Sequence, residues 1–191
     1  ICMRNFKGIQ IDKNSGIIEV LSGEMLPTLA RKAAASGLHG LEWAVGIPGT
    51  IGGAVVMNAG AQEHCISGYL ESITTLSLKG EYKMIKGKDL NFGYRHSMLQ
   101  NEKLIVLSAR LKLISGQAAK IRQVTNETLN HRLKTQPYKS QTCGSVFRNP
   151  EPLKAAKLIE ELGLKGFRFG GAEISKIHSN FIINSNKASS N

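Results

Sequence analysis

Gly46-Ile47-Pro48-Gly49-Thr50-Ile51-Gly52-Gly53-Ala54-Val55-Val56-Met57-Asn58-Ala59-Gly60 is the stretch on which the reading of this chain turns. Five glycines fall within these fifteen residues, among small apolar side chains and one proline. Glycine removes the Cβ wall, so backbone N–H groups can approach an anion closely and φ > 0 conformations open. A flexible linker would carry Ser, Gln, Lys or Glu in place of Ile, Val and Met. A run both glycine-rich and apolar suits the pyrophosphate and ribityl chain of a large cofactor. A tight loop packed beneath a helix is the alternative. The run is not G-x-G-x-x-G and does not end in Gly-Lys-Ser/Thr, so neither the dinucleotide fingerprint nor the P-loop applies.

The rest of the chain sets bounds around that run. At 191 residues, 41% hydrophobic and 20% charged, it is long and apolar enough for a packed core. The 25 Lys+Arg against 14 Asp+Glu give a net charge of +11, which implies an anionic partner. Nucleic acid, a membrane surface and a phosphorylated small molecule all meet that description. No long apolar run and no signal-peptide pattern occur, so membrane insertion is not expected. Cys2, Cys65 and Cys143 are odd in number and lack metal-ligand spacing. They point to a reducing, cytoplasmic setting with no disulfide framework and no metal site. The chain begins at Ile1 and ends at Ser189-Ser190-Asn191, straight after an apolar run, and is expected to be a piece of a longer polypeptide.

Strands are expected over residues 17–20, 71–78, 82–85, 103–114 and 177–184, with a turn at Lys79-Gly80. A helix is expected over 24–36, with Pro27 in its first turn and Gly37 just past its end. A second helix over 117–134 carries Ile121, Val124, Leu129 and Leu133 on a basic background, and a third over 153–162 is stopped by Gly163. Residues 137–141 lack a hydrophobic period and mark the domain boundary. Strands and helices mix without a βαβ rhythm, so the fold class is α+β.

Three further segments bear on chemistry. In Phe92-Gly93-Tyr94-Arg95-His96-Ser97, Arg95 offers a rigid fork of donors that fits a carboxylate or phosphate. Its bland reading is a solvated charge in a turn. In Thr142-Cys143-Gly144-Ser145-Val146-Phe147-Arg148-Asn149-Pro150, Ser145 follows Gly and precedes an apolar stretch expected to be a strand. There its hydroxyl can donate a proton, or merely serve a turn or a helix cap. The G-x-S-x-G elbow of an acyl-transfer nucleophile is absent. Residues 170–184, Gly-Gly-Ala-Glu-Ile-Ser-Lys-Ile-His-Ser-Asn-Phe-Ile-Ile-Asn, could line a nucleotide or sugar pocket or simply lead into a strand.

Taken together, in this order and spacing, the four segments resemble the UDP-N-acetylenolpyruvoylglucosamine reductase (MurB) family of flavoenzymes. Gly-Ile-Pro-Gly-Thr-Ile-Gly-Gly and the following Met-Asn-Ala-Gly-Ala resemble the family's second FAD-contacting segment. Gly93-Tyr94-Arg95-His96-Ser97 matches its Tyr-Arg-x-Ser motif, and residues 144–150 match its Gly-Ser-x-Phe-Lys/Arg-Asn-Pro motif. Residues 170–184 are similar to its closing segment. The resemblance spans essentially the whole chain. The family's first FAD loop is expected upstream of Ile1, and its catalytic Glu downstream of Asn191.

The resemblance implies a FAD-binding domain of the PCMH/vanillyl-alcohol-oxidase type over residues 1–137. A smaller α+β substrate-binding domain would follow over 138–191. It implies FAD contacts from Gly46, Ile47, Pro48, Gly49, Gly52, Gly53, Asn58 and Gly60. Hydride would pass from NADPH through FAD to the enolpyruvyl ether of a UDP-sugar, in peptidoglycan precursor synthesis. Arg95 would bind the substrate carboxylate and Ser145 would protonate C2. Tyr94, Asn149 and Lys134 would contact the substrate, Lys134 near the UDP pyrophosphate. On this reading the positive charge serves polyanionic small molecules and no nucleic acid. Two rivals stand beside it: a flavin-binding relative or truncated copy without this turnover, and a basic nucleic-acid-binding protein. The 6% aromatic content and absent recognition motifs speak against the second.

Overall fold

A computed structural model describes residues 2–189. They form two compact units that divide between Leu129 and Asn130.

In the first unit, β1 (Ile9–Asp12) and β2 (Ile17–Leu21) form a hairpin that leads into α1 (Leu26–Ala35). Leu26, Leu29, Ala30, Ala33 and Ala34 of α1 are buried. That is the i, i+3, i+4, i+7, i+8 stripe of a helix lying on a core. Pro27 sits in the first turn, and Gly37 at φ 74 ends the helix as the sequence predicts. A two-residue strand, β3 (Leu38–His39), precedes the glycine run, within which the chain forms α2 (Ile51–Val56). A small hairpin of β4 (Gly60–Ala61) and β5 (His64–Cys65) follows. The chain continues through β6 (Leu70–Ser77), β7 (Tyr82–Lys86), β8 (Leu104–Lys112) and β9 (Ile114–Ser115) into α3 (Ala118–Thr135), within which the division between the units falls.

Five strands pair antiparallel in the order β1-β2-β8-β6-β7. Ile18, Val20, Ile73, Leu111, Leu29, Leu41, Trp43, Ile51, Val55 and Leu90 make a core in which every one is almost fully shielded. Burial of a side chain of this size is worth about 1.5–3 kcal/mol. Trp43 satisfies its indole N–H with the Gly40 carbonyl at 2.9 Å.

The structure departs from the sequence expectations at β8, at α3 and at the last strand. The strand expected over 103–114 breaks after Lys112: Leu113 donates its N–H to the Gly16 carbonyl, and β9 leaves the sheet to pair with β3. On α3 the buried positions are Ile121 and Thr125, with Leu129 packed against the core. Val124 and Leu133 are 41% and 47% exposed. At about 3.6 residues per turn a four-residue step drifts round the helix, so Ile121, Thr125 and Leu129 fill one stripe while Val124 and Leu133 fall on its two edges. Thr125 is tolerated there because its hydroxyl donates back to the Ile121 carbonyl at 2.8 Å. The strand expected over 177–184 is shorter than that span.

In the second unit, β10 (Thr142–Ser145), β13 (Phe181–Asn184), β12 (Ala172–Ile174) and β11 (Arg168–Phe169) form an antiparallel sheet in that order, beside α4 (Ala155–Glu161). The last strand starts only at Phe181. Residues 177–178 are held in a turn in which the fully buried Ser175 hydroxyl oxygen accepts the N–H groups of Ile177 and His178, at 3.1 and 3.2 Å.

Candidate functional site

The glycine run is shaped by short local contacts. Ile47 donates to the Ala44 carbonyl, and Leu26 to the Gly49 carbonyl. Gly46 is buried, while Pro48 and Gly49 are exposed. Gly49 adopts φ 144, a region few side-chain-bearing residues enter, and an added Cβ would meet no protein atom within 4 Å. Thr50 caps α2 by accepting the Gly53 N–H. The Gly52 N–H donates to the Ser22 carbonyl, and a Cβ on Gly52 would come within 3.1 Å of the Ser22 Cβ. The Ser22 hydroxyl oxygen is buried and has no hydrogen-bond partner in the protein. The run is thus an open shelf at Gly49, backed by a helix turn that packs Ile51, Ala54 and Val55 into the core.

Asn58 ends the shelf. It is buried at φ 43; its Nδ2 donates to the Gly93 carbonyl at 3.0 Å, and its Oδ1 accepts the Ser67 N–H at 3.3 Å. Its amide is therefore engaged by the protein at both ends. Gly60 offers its carbonyl to Arg95, whose Nη2 lies 2.9 Å away. Arg95 itself sits at φ 53 in a tight turn closed by reciprocal hydrogen bonds between Gly93 and His96. A positive φ at the third position of such a turn favours Gly or Asn, so Arg is held there against backbone preference. The Tyr94 ring lies 5.1 Å from the Arg95 guanidinium carbon, and Tyr94 is 55% exposed. A guanidinium carries five donors, so binding Gly60 leaves the fork able to grip an anion.

Ser97, the serine of the Tyr-Arg-x-Ser match, and Gln100, which the sequence does not single out, fasten this turn. Ser97, fully buried, donates to the Val56 carbonyl at 2.7 Å. Gln100 Nε2 donates to the Arg95 carbonyl at 3.0 Å. The Ser97 partner lies 41 positions away, so the motif marks the residue without revealing what it holds.

In the second unit, Ser145 is exposed at the end of β10, opposite Phe181. It closes a strand, where the sequence expects a position ahead of one. Asn149 Oδ1 accepts the Ala155 N–H at the start of α4, at 3.1 Å. Lys134 is exposed in the last turn of α3. Asn180, 4% exposed, holds the residues just after Ser145. Its carbonyl accepts the Val146 N–H, its Oδ1 accepts the Phe147 N–H, and its Nδ2 donates to the Phe147 carbonyl.

No helix among the described residues is long and apolar enough to cross a membrane.

The family described as FAD binding domain matches residues 1–83, and the UDP-N-acetylenolpyruvoylglucosamine reductase C-terminal domain matches residues 136–191. The chain is similar to the UDP-N-acetylenolpyruvoylglucosamine reductase of Prochlorococcus marinus (strain NATL2A), at 90% identity over 191 residues, all of this chain and 66% of the relative. The enzyme of that name from Synechococcus sp. (strain CC9605) is 55% identical over 98% of this chain and 63% of its own length. The crystal structure of the Thermus caldophilus reductase superposes with a TM-score of 0.84 at 39% identity, over 96% of this chain and 66% of that one. The chain thus spans slightly under two thirds of the length of these relatives.

Proposed function

The chain belongs to the UDP-N-acetylenolpyruvoylglucosamine reductase family, and from that premise we propose that it reduces the enolpyruvyl ether of UDP-N-acetylglucosamine to the lactyl ether. The product, UDP-N-acetylmuramate, feeds peptidoglycan synthesis in the cytoplasm. FAD is the resident cofactor and NADPH the reductant. The observation that carries this reading is Arg95, held at φ 53 with its guanidinium on the Gly60 carbonyl. An anion-binding side chain is thereby fixed to the end of the glycine shelf.

The residues present fit the cofactor. At Gly49 the shelf is open where a Cβ would stand, and the buried Ser22 hydroxyl behind Gly52 has no partner in the protein. Gly46, Ile47, Pro48, Gly49, Gly52, Gly53 and Gly60 would hold FAD through backbone and small apolar surface, and Asn58 would anchor their loop. Bound there, flavin supplies the two-electron relay between NADPH and substrate.

The chain's own side chains do the rest. Hydride addition at C3 of the enolpyruvyl group builds enolate charge that spreads onto the substrate carboxylate. Arg95 binds that carboxylate and stabilises the charge in place, with Tyr94 beside it. The Ser145 hydroxyl donates the proton that completes C2. Asn149 contacts the sugar, and Lys134 supplies a cation for the UDP pyrophosphate. On this reading residues 1–137 serve FAD, and residues 138–191 belong to the substrate domain.

The test uses the complete gene product that contains these residues. It should purify yellow and oxidise NADPH only when the enolpyruvyl UDP-sugar is present. Arg95→Ala and Ser145→Ala should keep the flavin spectrum while substrate reduction falls by about 10²–10⁴. A colourless product, or NADPH oxidation indifferent to the sugar, overturns the reading.

A further inference from the structure

We infer that Asn180 is the positioning residue for Ser145, its side-chain amide clamping the main chain of Phe147 so that the Ser145 hydroxyl is held at the end of β10. The inference rests on the proposed role of Ser145 as proton donor and extends it.

The geometry is specific. The Phe147 N–H reaches Asn180 Oδ1 at 2.9 Å, and Asn180 Nδ2 reaches the Phe147 carbonyl at 2.8 Å. One side-chain amide thus reads both polar groups of one residue, as a strand partner would. The Val146 N–H closes on the Asn180 carbonyl at 2.9 Å. Beyond Ser145 the regular strand has ended, and its register with β13 already shifts between Thr142 and Ser145. Asn180 therefore continues the pairing that backbone alone no longer supplies.

Around the clamp the chain is largely exposed. Thr142, Cys143 and Ser145 are exposed, and a Cβ on Gly144 at φ 89 would touch nothing. Val146 and Phe147 are 39% and 56% exposed, so little apolar packing fixes them. By contrast Asn180 is itself immobilised. It is buried, its N–H donates to His178 Nδ1 at 3.3 Å, and its neighbour Ser179 donates to the Ala156 carbonyl of α4. A proton donor has to stay within hydrogen-bond reach of the atom it serves, and misplacement of about 1 Å costs on the order of 10²-fold in rate. Asn180 touches neither the hydroxyl nor any reacting atom, so its action is wholly through the main chain.

The experiment has two arms in the complete gene product. In the wild type, amide exchange at Val146 and Phe147 should be slow, and Asn180→Leu, which keeps the bulk and loses both acceptor and donor, should speed it at Phe147 while α4 stays protected. Free exchange of both amides in the wild type would overturn the inference even if no variant folds. In the second arm, Asn180→Leu should leave NADPH reduction of the flavin unchanged and slow the substrate half-reaction about 10²-fold. Adding Ser145→Ala to Asn180→Leu should then cost little more than Ser145→Ala alone, because the two act through one group. Losses that multiply, or that fall equally on both half-reactions, would overturn the positioning role. If Ser145→Ala alone turned over normally, the proton-donor reading would fail instead, and the exchange arm would still decide the clamp.

Discussion

Asn58 and Gly93 stand 35 positions apart and are joined by a 3.0 Å hydrogen bond from the Asn58 Nδ2 to the Gly93 carbonyl. The same carbonyl accepts the His96 N–H, so Asn58 fastens the turn that carries Arg95 to the end of the glycine shelf. Asn58 also sits at φ 43, where a Cβ-bearing residue other than Asn or Asp is disfavoured. Asn58→Ala should therefore cost about 2–3 kcal/mol, from two lost hydrogen bonds and the backbone conformation. Asn58→Gly loses the same bonds without the backbone cost and should be about 1 kcal/mol less damaging. Urea midpoints of the two variants check this, and equal midpoints would remove strain from the account.

Gly49 and Gly80 make a matched pair. Both adopt positive φ, 144 and 85, and a Cβ on either would meet no atom within 4 Å. Alanine at either position should cost about 1–3 kcal/mol through the backbone alone. Only Gly49 lies on the shelf, since Gly80 turns the β6–β7 hairpin. Gly49→Ala should weaken FAD binding about tenfold, whereas Gly80→Ala should leave it unchanged. Flavin titration of the two apoproteins makes the comparison, and equal losses would take the cofactor off the shelf.

Gln100 bears on Arg95 through the main chain, donating to its carbonyl at 3.0 Å. Gln100→Met keeps the bulk and loses the donor. Affinity for the enolpyruvyl UDP-sugar should fall roughly fivefold, the worth of one exposed hydrogen bond, while UDP-N-acetylglucosamine, which lacks the carboxylate, binds as before. Calorimetric titration of both sugars separates this from a general loosening, which would weaken them alike.

What the sequence shows and what it hides differ by the range of the forces involved. The stripe of α1 and the alternation of β6 are local, and periodicity reveals them to within two residues at either end. By contrast α2 lies inside a glycine run of poor helix propensity. It forms because Ile51, Ala54 and Val55 pack into the core and because the Ile51 and Gly52 amides find the carbonyls of Glu24 and Ser22. The candidate site divides in the same way. Arg95 and Ser145 stand out by residue type within a motif. The hydrogen bonds from Ser97 to Val56 and from Asn180 to Phe147 join positions 41 and 33 residues apart, and nothing local encodes them; the positive φ of Arg95 runs against its residue type.

The last prediction concerns acid. His178 lies edge-on to Phe181, with ring centroids 4.8 Å apart, and its Nδ1 accepts the Asn180 N–H, which requires the neutral imidazole. Burial holds its pKa below the ordinary 6.5; a hydrogen bond to its own main chain and the Glu160 charge oppose this, and the Lys165 charge adds to the depression. The unfolded chain thus takes up this proton at higher pH than the folded one. The stability His178 contributes is complete above about pH 6.5 and is lost as pH falls through the lowered folded value. His178→Gln removes the titration. The difference in urea midpoint between about pH 7.5 and about pH 5.5 should shrink in the variant. Because protonated Nδ1 cannot accept the Asn180 N–H, acid should also lower the protection of the Asn180 amide, relative to its intrinsic exchange rate at the same pH, in the wild type but not in the variant. An identical pH response in the two proteins would place the acid sensitivity elsewhere in the chain.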